Sequence, residues 1–329
     1  MKQIKIGTFN AYNLVLPNTT YYGWKKYTSD EYRKKISWMG WQLDTMKADI
    51  IGFQEVFHRT ALEEVLDSSL YCKDYHIVMS KPSSTVTSPD LAPIVALATK
   101  FPVLDYHVVE DFNEMLLLDT EVSVPIFQFS RPVLIVELEM YGQAVTVFVV
   151  HLKSKRPDIA KGADADDPME QAKGQARSLI RRAAEATALR SLLLQYLNKR
   201  SYPVILLGDV NDSGSAVTTD ILAGQEPMSY WHKEKKMKYW DVLLYNVKNI
   251  QALKSYQDYY YTHIHNGHHE SLDHILVSQE FVRENPNHIG EVRYVQVLND
   301  HLQDNTLSRE GVEGWQSDHA QVVATIEFE

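Results

Sequence analysis

Residues 133–151 constrain the fold more than any other part of this chain. Two strongly β-prone runs, 133–140 and 144–151, are joined by only Tyr141-Gly142-Gln143. So short a connection with a central glycine closes a hairpin, which pairs its strands antiparallel and disfavours a purely parallel, Rossmann-like sheet. Further β-rich runs stand at 2–9, 50–53, 76–79, 94–99, 204–209, 272–278 and 321–328. Between 170 and 200, Ala176, Leu179, Ala183, Ala186, Leu189, Leu193 and Leu197 recur every three or four residues, the pattern of one long amphipathic helix whose Arg and Glu residues face water. Two more helices are expected at 29–47, capped by Ser29 or Asp30, and at 59–66. All three read as scaffold. The acidic segment 155–168 has no periodicity and lacks the EF-hand ligand spacing, so it is expected to be a solvated loop after His151.

Mixed strands and helices over 329 residues, with 44% hydrophobic and 23% charged side chains, describe an α/β protein with a substantial core. One domain covering 1–329 is the expectation. The formal charge of −10 argues against a broad basic surface for long nucleic acid, although a local basic cleft and bound cations change the field that a phosphate meets. Cys72 is the one cysteine and forms no internal disulfide. No apolar run is long enough for a bilayer span and the first residues read as a strand, so cytoplasmic residence without membrane insertion is expected, a processed secreted form looking the same. No protein partner is inferable.

The chemical signal is a set of polar residues at the ends of apolar strands, where loops of an α/β sheet build sites. Thr8-Phe9-Asn10 ends the first run, and Asn10 is either a phosphate donor or a turn former. Glu55 ends the second, suiting a hard cation such as Mg²⁺ or Mn²⁺, or capping the following helix. His151 ends 147–151, donating to a phosphate oxygen or buried against backbone. In 204–212 a glycine turn delivers Asp209, with Asn211 two residues on; the pair suits a base that activates water and a neutral group that orients it. Leu272-Asp273-His274 and Ser317-Asp318-His319 complete the set. Asp273 is the natural partner to keep His319 protonated, and Asp318 a natural metal ligand.

In order, the segments TFN, QEV, HLKS, GDVND, LDHILVS and SDH resemble the endonuclease/exonuclease/phosphatase superfamily of DNase I-like metal hydrolases, from Asn10 to His319. The resemblance implies a four-layered α/β/β/α sandwich with two mixed or antiparallel sheets. It implies Glu55 as principal Mg²⁺ or Mn²⁺ ligand, Asp209 as base, Asn211 as orienting group, and His151 with the Asp273–His319 pair as stabilisers of the phosphoryl transition state. Phe129-Ser130-Arg131-Pro132 is similar to a family segment whose arginine reaches the phosphate, making Arg131 a substrate-binding candidate. Tyr12 stands where some apurinic-site endonucleases carry an acid, and residues 271–274 lack the Trp and Asp-Arg of inositol phosphatases.

His263, His265, His268 and His269 invite a zinc reading, but no cysteine or second histidine pair supports it, so 259–269 is expected to be an aromatic, polar loop at the cleft rim. Hydrolysis of a nucleic-acid phosphodiester by activated water is the leading expectation. Action on a small-molecule or lipid phosphoester is the alternative, and a silent phosphate-binding scaffold a third.

Overall fold

The computed structural model describes residues 2–23, 25–80, 92–112, 125–197, 203–225, 230–254, 260–265, 267–302 and 314–328. In chain order the strands are β1 (Lys2–Leu14), β2 (Ile50–Val56), β3 (His76–Met79), β4 (Ile94–Thr99), β5 (Val103–Asp111), β6 (Gln128–Met140), β7 (Gln143–His151), β8 (Val204–Asp209), β9 (Tyr245–Asn246), β10 (His263–His265), β11 (His268–Glu270), β12 (Asp273–Val277), β13 (Gly290–Leu298) and β14 (Gln321–Phe328). The main helices are α1 (Ser29–Met46), α2 (Arg59–Ser68) and α3 (Pro168–Leu197).

Two six-stranded sheets result, ordered β13-β14-β1-β2-β4-β3 and β5-β6-β7-β8-β12-β9. Each contains one parallel pair, β1 with β2 and β7 with β8, among antiparallel neighbours. Strand alternation sorts the side chains into layers. Ile4, Ile6, Val147, Val149, Ile205 and Leu207 fill the space between the sheets. Their neighbours face outward: Phe9, Ile51 and Phe53 into a cluster with Met39 and Leu43 of α1 and Leu62 of α2, and Phe148, Val150 and Leu206 into one with Ala186, Leu189 and Leu193 of α3. Strands buried on both faces read as continuous apolar runs, which is why they stood out in the sequence. The arrangement is the expected α/β/β/α sandwich.

Boundaries moved in ways that matter for the site. Met140 pairs with Gln143, so the hairpin turns on Tyr141 and Gly142 alone, both with positive φ (56° and 90°), as a two-residue turn requires. Thr28, not Ser29 or Asp30, caps α1: its hydroxyl accepts from the Glu31 amide while the Glu31 carboxylate accepts from the Thr28 amide. The helix at 170–200 begins at Pro168, and 198–200 lie outside the described residues. Its arginines and glutamates do not all face water: Arg182 and Glu185 are buried while Leu179 is half exposed. The edge strand β5 was not expected, because its mostly exposed, charged sequence carries no apolar alternation. The histidine-rich segment forms the β10–β11 hairpin rather than a loop, with Tyr259 and Asn266 outside the described residues.

Candidate active site

Register builds the site's centre. In the second sheet His151 at the end of β7 stands opposite Asp209 at the end of β8, and Asp209 opposite Asp273 at the start of β12. Residues directly opposite share a face, so three ionisable side chains line one row. Gly208 makes the row possible: its φ is +145°, and an added Cβ would lie 2.0 Å from the Val150 carbonyl oxygen. Beyond Asp209 the chain turns through Asn211 in the left-handed region (φ 56°), and the Asn211 amide donates to Asp209 Oδ1 at 2.8 Å. The Asn211 side chain donates to the Leu152 carbonyl at 3.0 Å.

Asp209 Oδ2 is the point of convergence. Asn10, carried across from β1 in the other sheet, donates its side-chain amide to it at 3.1 Å, while His151 Nε2 lies 3.4 Å and His319 Nε2 3.9 Å away. His319 Nδ1 is in turn 2.8 Å from Asp273 Oδ2. Burial, with the Asp273 and Glu55 charges added, pushes the Asp209 carboxyl up to about 7, against the lowering effect of His319 and the Asn211 amide. Burial lowers His319, but the Asp273 and Asp209 carboxylates outweigh it and hold the imidazole well above its ordinary value. His151 goes the other way: burial, then the positive charges of Arg131 and His319, keep it neutral. His151 Nδ1 and Asp273 Oδ1 are buried without a hydrogen-bond partner.

Beside this row Glu55 reaches the cleft from β2. Both β1 and β2 bulge here, with register shifts between Asn10 and Leu14 and between Phe53 and Val56, and Tyr12, Asn13 and Glu55 all adopt positive φ. Bulges re-aim side chains next to sites, and left-handed non-glycine residues persist only where surrounding structure enforces them. Glu55 Oε2 accepts from the Asn13 amide at 3.0 Å. Burial and the charge of Asp318 raise the Glu55 carboxyl. Partly buried Glu55 and exposed Asp318 lie close enough for their charges to act on each other, and two such hard oxygen donors suit a divalent cation such as Mg²⁺ or Mn²⁺.

Arg131 on β6 donates to the same Leu152 carbonyl at 3.2 Å, which links it to Asn211. The buried Glu185 of α3 accepts from the Ser130 amide at 2.9 Å and the Lys153 amide at 2.8 Å, fastening the neighbours of Arg131 and His151. Arg182 donates to the Lys153 carbonyl at 3.3 Å and approaches Asp212 at 3.4 Å. Hydrogen bonds and charge interactions thus link the nine residues singled out in the sequence into one neighbourhood: Asn10, Glu55, Arg131, His151, Asp209, Asn211, Asp273, Asp318 and His319.

Four neighbours escaped sequence reading. Glu185 and Arg182 looked like the wet face of a helix. Lys35 is wholly buried beneath the bulges, donates to the Tyr12 carbonyl at 2.9 Å, and is lowered by burial to about 7 against the raising charges of Glu55 and Asp318. His263 Nδ1 is 2.9 Å from the Asp318 backbone oxygen and its ring centre 4.8 Å from that of His319. The histidine run was a visible signal for it, but its proximity to His319 comes from the bridge between His263 and His319, which no sequence spacing encodes.

The chain matches the model of the Endonuclease/Exonuclease/phosphatase family over residues 7–319. No curated protein matches it. Among solved structures, truncated TDP2 from Caenorhabditis elegans superimposes with a TM-score of 0.58 at 14% identity, covering 99% of this chain and 97% of that one. The human Nocturnin catalytic domain with bound sulfate gives 0.55 at 15% identity, with 99% and 95% covered. A mannosyl-6-phosphatase from Bacteroides thetaiotaomicron gives 0.53 at 15% identity, with 99% and 100% covered. At such identity these likenesses establish the shared fold.

Proposed function

The chain belongs to the Endonuclease/Exonuclease/phosphatase family, and from that premise we propose that it hydrolyses phosphodiester bonds, in nucleic acid foremost, by direct attack of a water that Asp209 activates. The observation that carries the reading is the convergence of Asn10, His151 and His319 on one oxygen of Asp209. A carboxyl pushed up to about 7 suits proton removal near neutral pH, where a base is both ionised and basic enough to act. Asn211 orients the water. His319, kept cationic by Asp273, and the neutral His151 bind phosphoryl oxygens as charge builds on them, and Asn10 and Arg131 fix the phosphate. Glu55 and Asp318 hold Mg²⁺ or Mn²⁺, which supplies charge neutralisation at the phosphoester. Residues 1–329 act in this reading as one catalytic domain.

Tyr22, half exposed and near enough to Glu55 and Arg131 for their charges to act on its hydroxyl, is an aromatic ring on which a base or sugar would stack, which supports a nucleic-acid substrate. The second reading, a phosphatase or phosphodiesterase for a small or lipid phosphoester, is favoured by the net charge of −10 and by the sugar-phosphatase neighbour. Turnover of single-stranded DNA, duplex DNA, RNA and phosphate monoesters, each with Mg²⁺, Mn²⁺ or EDTA, separates the two. Metal-dependent cleavage of a polynucleotide supports the first. Turnover confined to monoesters or lipid head groups replaces it with the second.

A further inference from the structure

We infer that His263, Asp318 and His319 form a zinc site at the edge of the candidate active site, which shares Asp318 with the hard-oxygen position beside Glu55 and adds two imidazoles to it. One potential ligand atom from each of the three lies within 4.8 Å of the others. Two imidazole nitrogens and a carboxylate oxygen are the donor types that zinc takes, with a fourth position left for water or substrate.

The hydrogen bonds around the two rings prepare them for this role. A backbone carbonyl only accepts, so the 2.9 Å contact between His263 Nδ1 and the Asp318 oxygen is an N–H donation. In the neutral ring this puts the lone pair on Nε2. His319 is held likewise through Nδ1 by Asp273 Oδ2, leaving Nε2 toward the cleft. Histidines that bind metal donate their other ring N–H to a carbonyl or carboxylate, which fixes the tautomer and raises the basicity of the ligating nitrogen; both rings already have that partner. On binding, zinc displaces the proton of His319 Nε2 to solvent while Nδ1 stays bonded to Asp273.

Zinc bonds of roughly 2.0–2.1 Å set ligands roughly 3.3 Å apart in a tetrahedron, so donors that lie within 4.8 Å of one another must close by at most about 1.5 Å. The movable partner is Asp318, whose side chain is exposed while His319 is buried. The proposed zinc site thus takes one histidine of the hairpin together with two residues just before the last strand.

The site has a consequence that rests on the hydrolase reading. Zinc there occupies the His319 nitrogen that faces Asp209, so it inhibits hydrolysis supported by Mg²⁺.

The test is calorimetric titration of Zn²⁺ into the chelator-stripped full chain, with and without Mg²⁺, comparing wild type, His263→Gln and His268→Gln, with circular dichroism to confirm folding. Wild type and His268→Gln are expected to bind one Zn²⁺ per chain, and His263→Gln to bind it at least 10–100-fold more weakly, the loss that even an outer partner of a zinc ligand produces. Cobalt substitution adds a readout: tetrahedral absorption bands in wild type and their loss in His263→Gln. Equal zinc affinity in His263→Gln, or an equal loss in His268→Gln, overturns the site. These measurements read binding, so they stand whether or not the chain proves to be a phosphodiesterase.

Discussion

The carboxylate of Asp209 and the imidazole of His319 face each other across 3.9 Å, Oδ2 to Nε2, while the opposite nitrogen of the ring lies 2.8 Å from Asp273. Base and cationic partner are thus held on two sides of one small volume, and Asp273 sustains the cation from behind. The states needed are Asp209 ionised and His319 protonated. Asp209 gains its charge as pH rises through about 7, or lower once a cation neutralises Glu55, and His319 loses its charge only well above the ordinary value of 6.5.

Asp273→Asn removes the charge that sustains His319 while leaving an oxygen to accept from Nδ1. The alkaline limb of kcat/KM is expected to move to lower pH, measured over roughly pH 5–9. Because the folded-state value of His319 is raised, the stability it contributes is fully present below the ordinary 6.5 and is lost as pH rises through the raised value. Wild type should lose that contribution at higher pH than the variant. An unmoved alkaline limb contradicts the assignment of His319.

Glu55→Gln separates the metal from the fold. A carboxyl raised by burial and by Asp318 makes the folded state less stable as pH climbs from the ordinary 4.5 through the raised value. The amide keeps an acceptor for the Asn13 N–H, so the metal-free variant is expected to melt above metal-free wild type at pH above neutrality. Adding Mg²⁺ or Mn²⁺ at about a hundred times its Kd should stabilise wild type by about 2.7 kcal/mol and the variant far less. Equal metal-induced shifts in Tm for the two proteins would remove Glu55 from the ligand set.

Glu185→Ala strips an acceptor from the Ser130 amide and hydroxyl and from the Lys153 amide. Leaving such donors unpaired in a buried position costs about 3 kcal/mol, read from urea unfolding. Since Ser130 precedes Arg131, KM is expected to rise more than kcat falls, and Glu185→Gln should recover part of both losses. A pure loss of stability with unchanged KM would make Glu185 structural only.

Gly208→Ala should be among the most damaging single-methyl additions. Its Cβ meets the Val150 carbonyl oxygen at 2.0 Å at a φ of +145° that alanine does not tolerate, so β8 must part from β7 at the point where Asp209 and His151 align. A loss of about 3 kcal/mol is expected in thermal or urea melts. A variant as stable as wild type refutes this packing.

What could be read in advance and what could not divide along physical lines. Strands buried on both faces announce themselves as apolar runs, and Glu55, His151, Asp209 and Asp273 stand at or next to their ends, where a core-packing account does not place polar groups; Asn10, expected at the end of the first run, lies inside β1, which continues to Leu14 past a bulge. Edge strand β5 lacks that signal: it is held by pairing with β6 and by the partly buried Val103, Val108 and Val109, while most of its other side chains are exposed. Glu185 and Arg182 were misplaced because a helical pattern counts apolar residues and cannot see a charged stripe that turns inward to meet backbone donors. The bulges that aim Glu55 occupy Tyr12, Asn13 and Glu55 itself, none of them glycine, so nothing local marks their left-handed backbone. Lys35 and His263 join the site only through contacts between distant segments.

The central claim is that Asp209 activates the attacking water. Asp209→Asn tests it most directly, in steady-state hydrolysis of a polynucleotide with Mg²⁺, beside circular dichroism showing the native fold. The expected result is a fall in kcat of roughly 10²–10⁴-fold with little change in KM, the contribution of a general base. A folded Asp209→Asn protein that retains full Mg²⁺-dependent turnover contradicts the account.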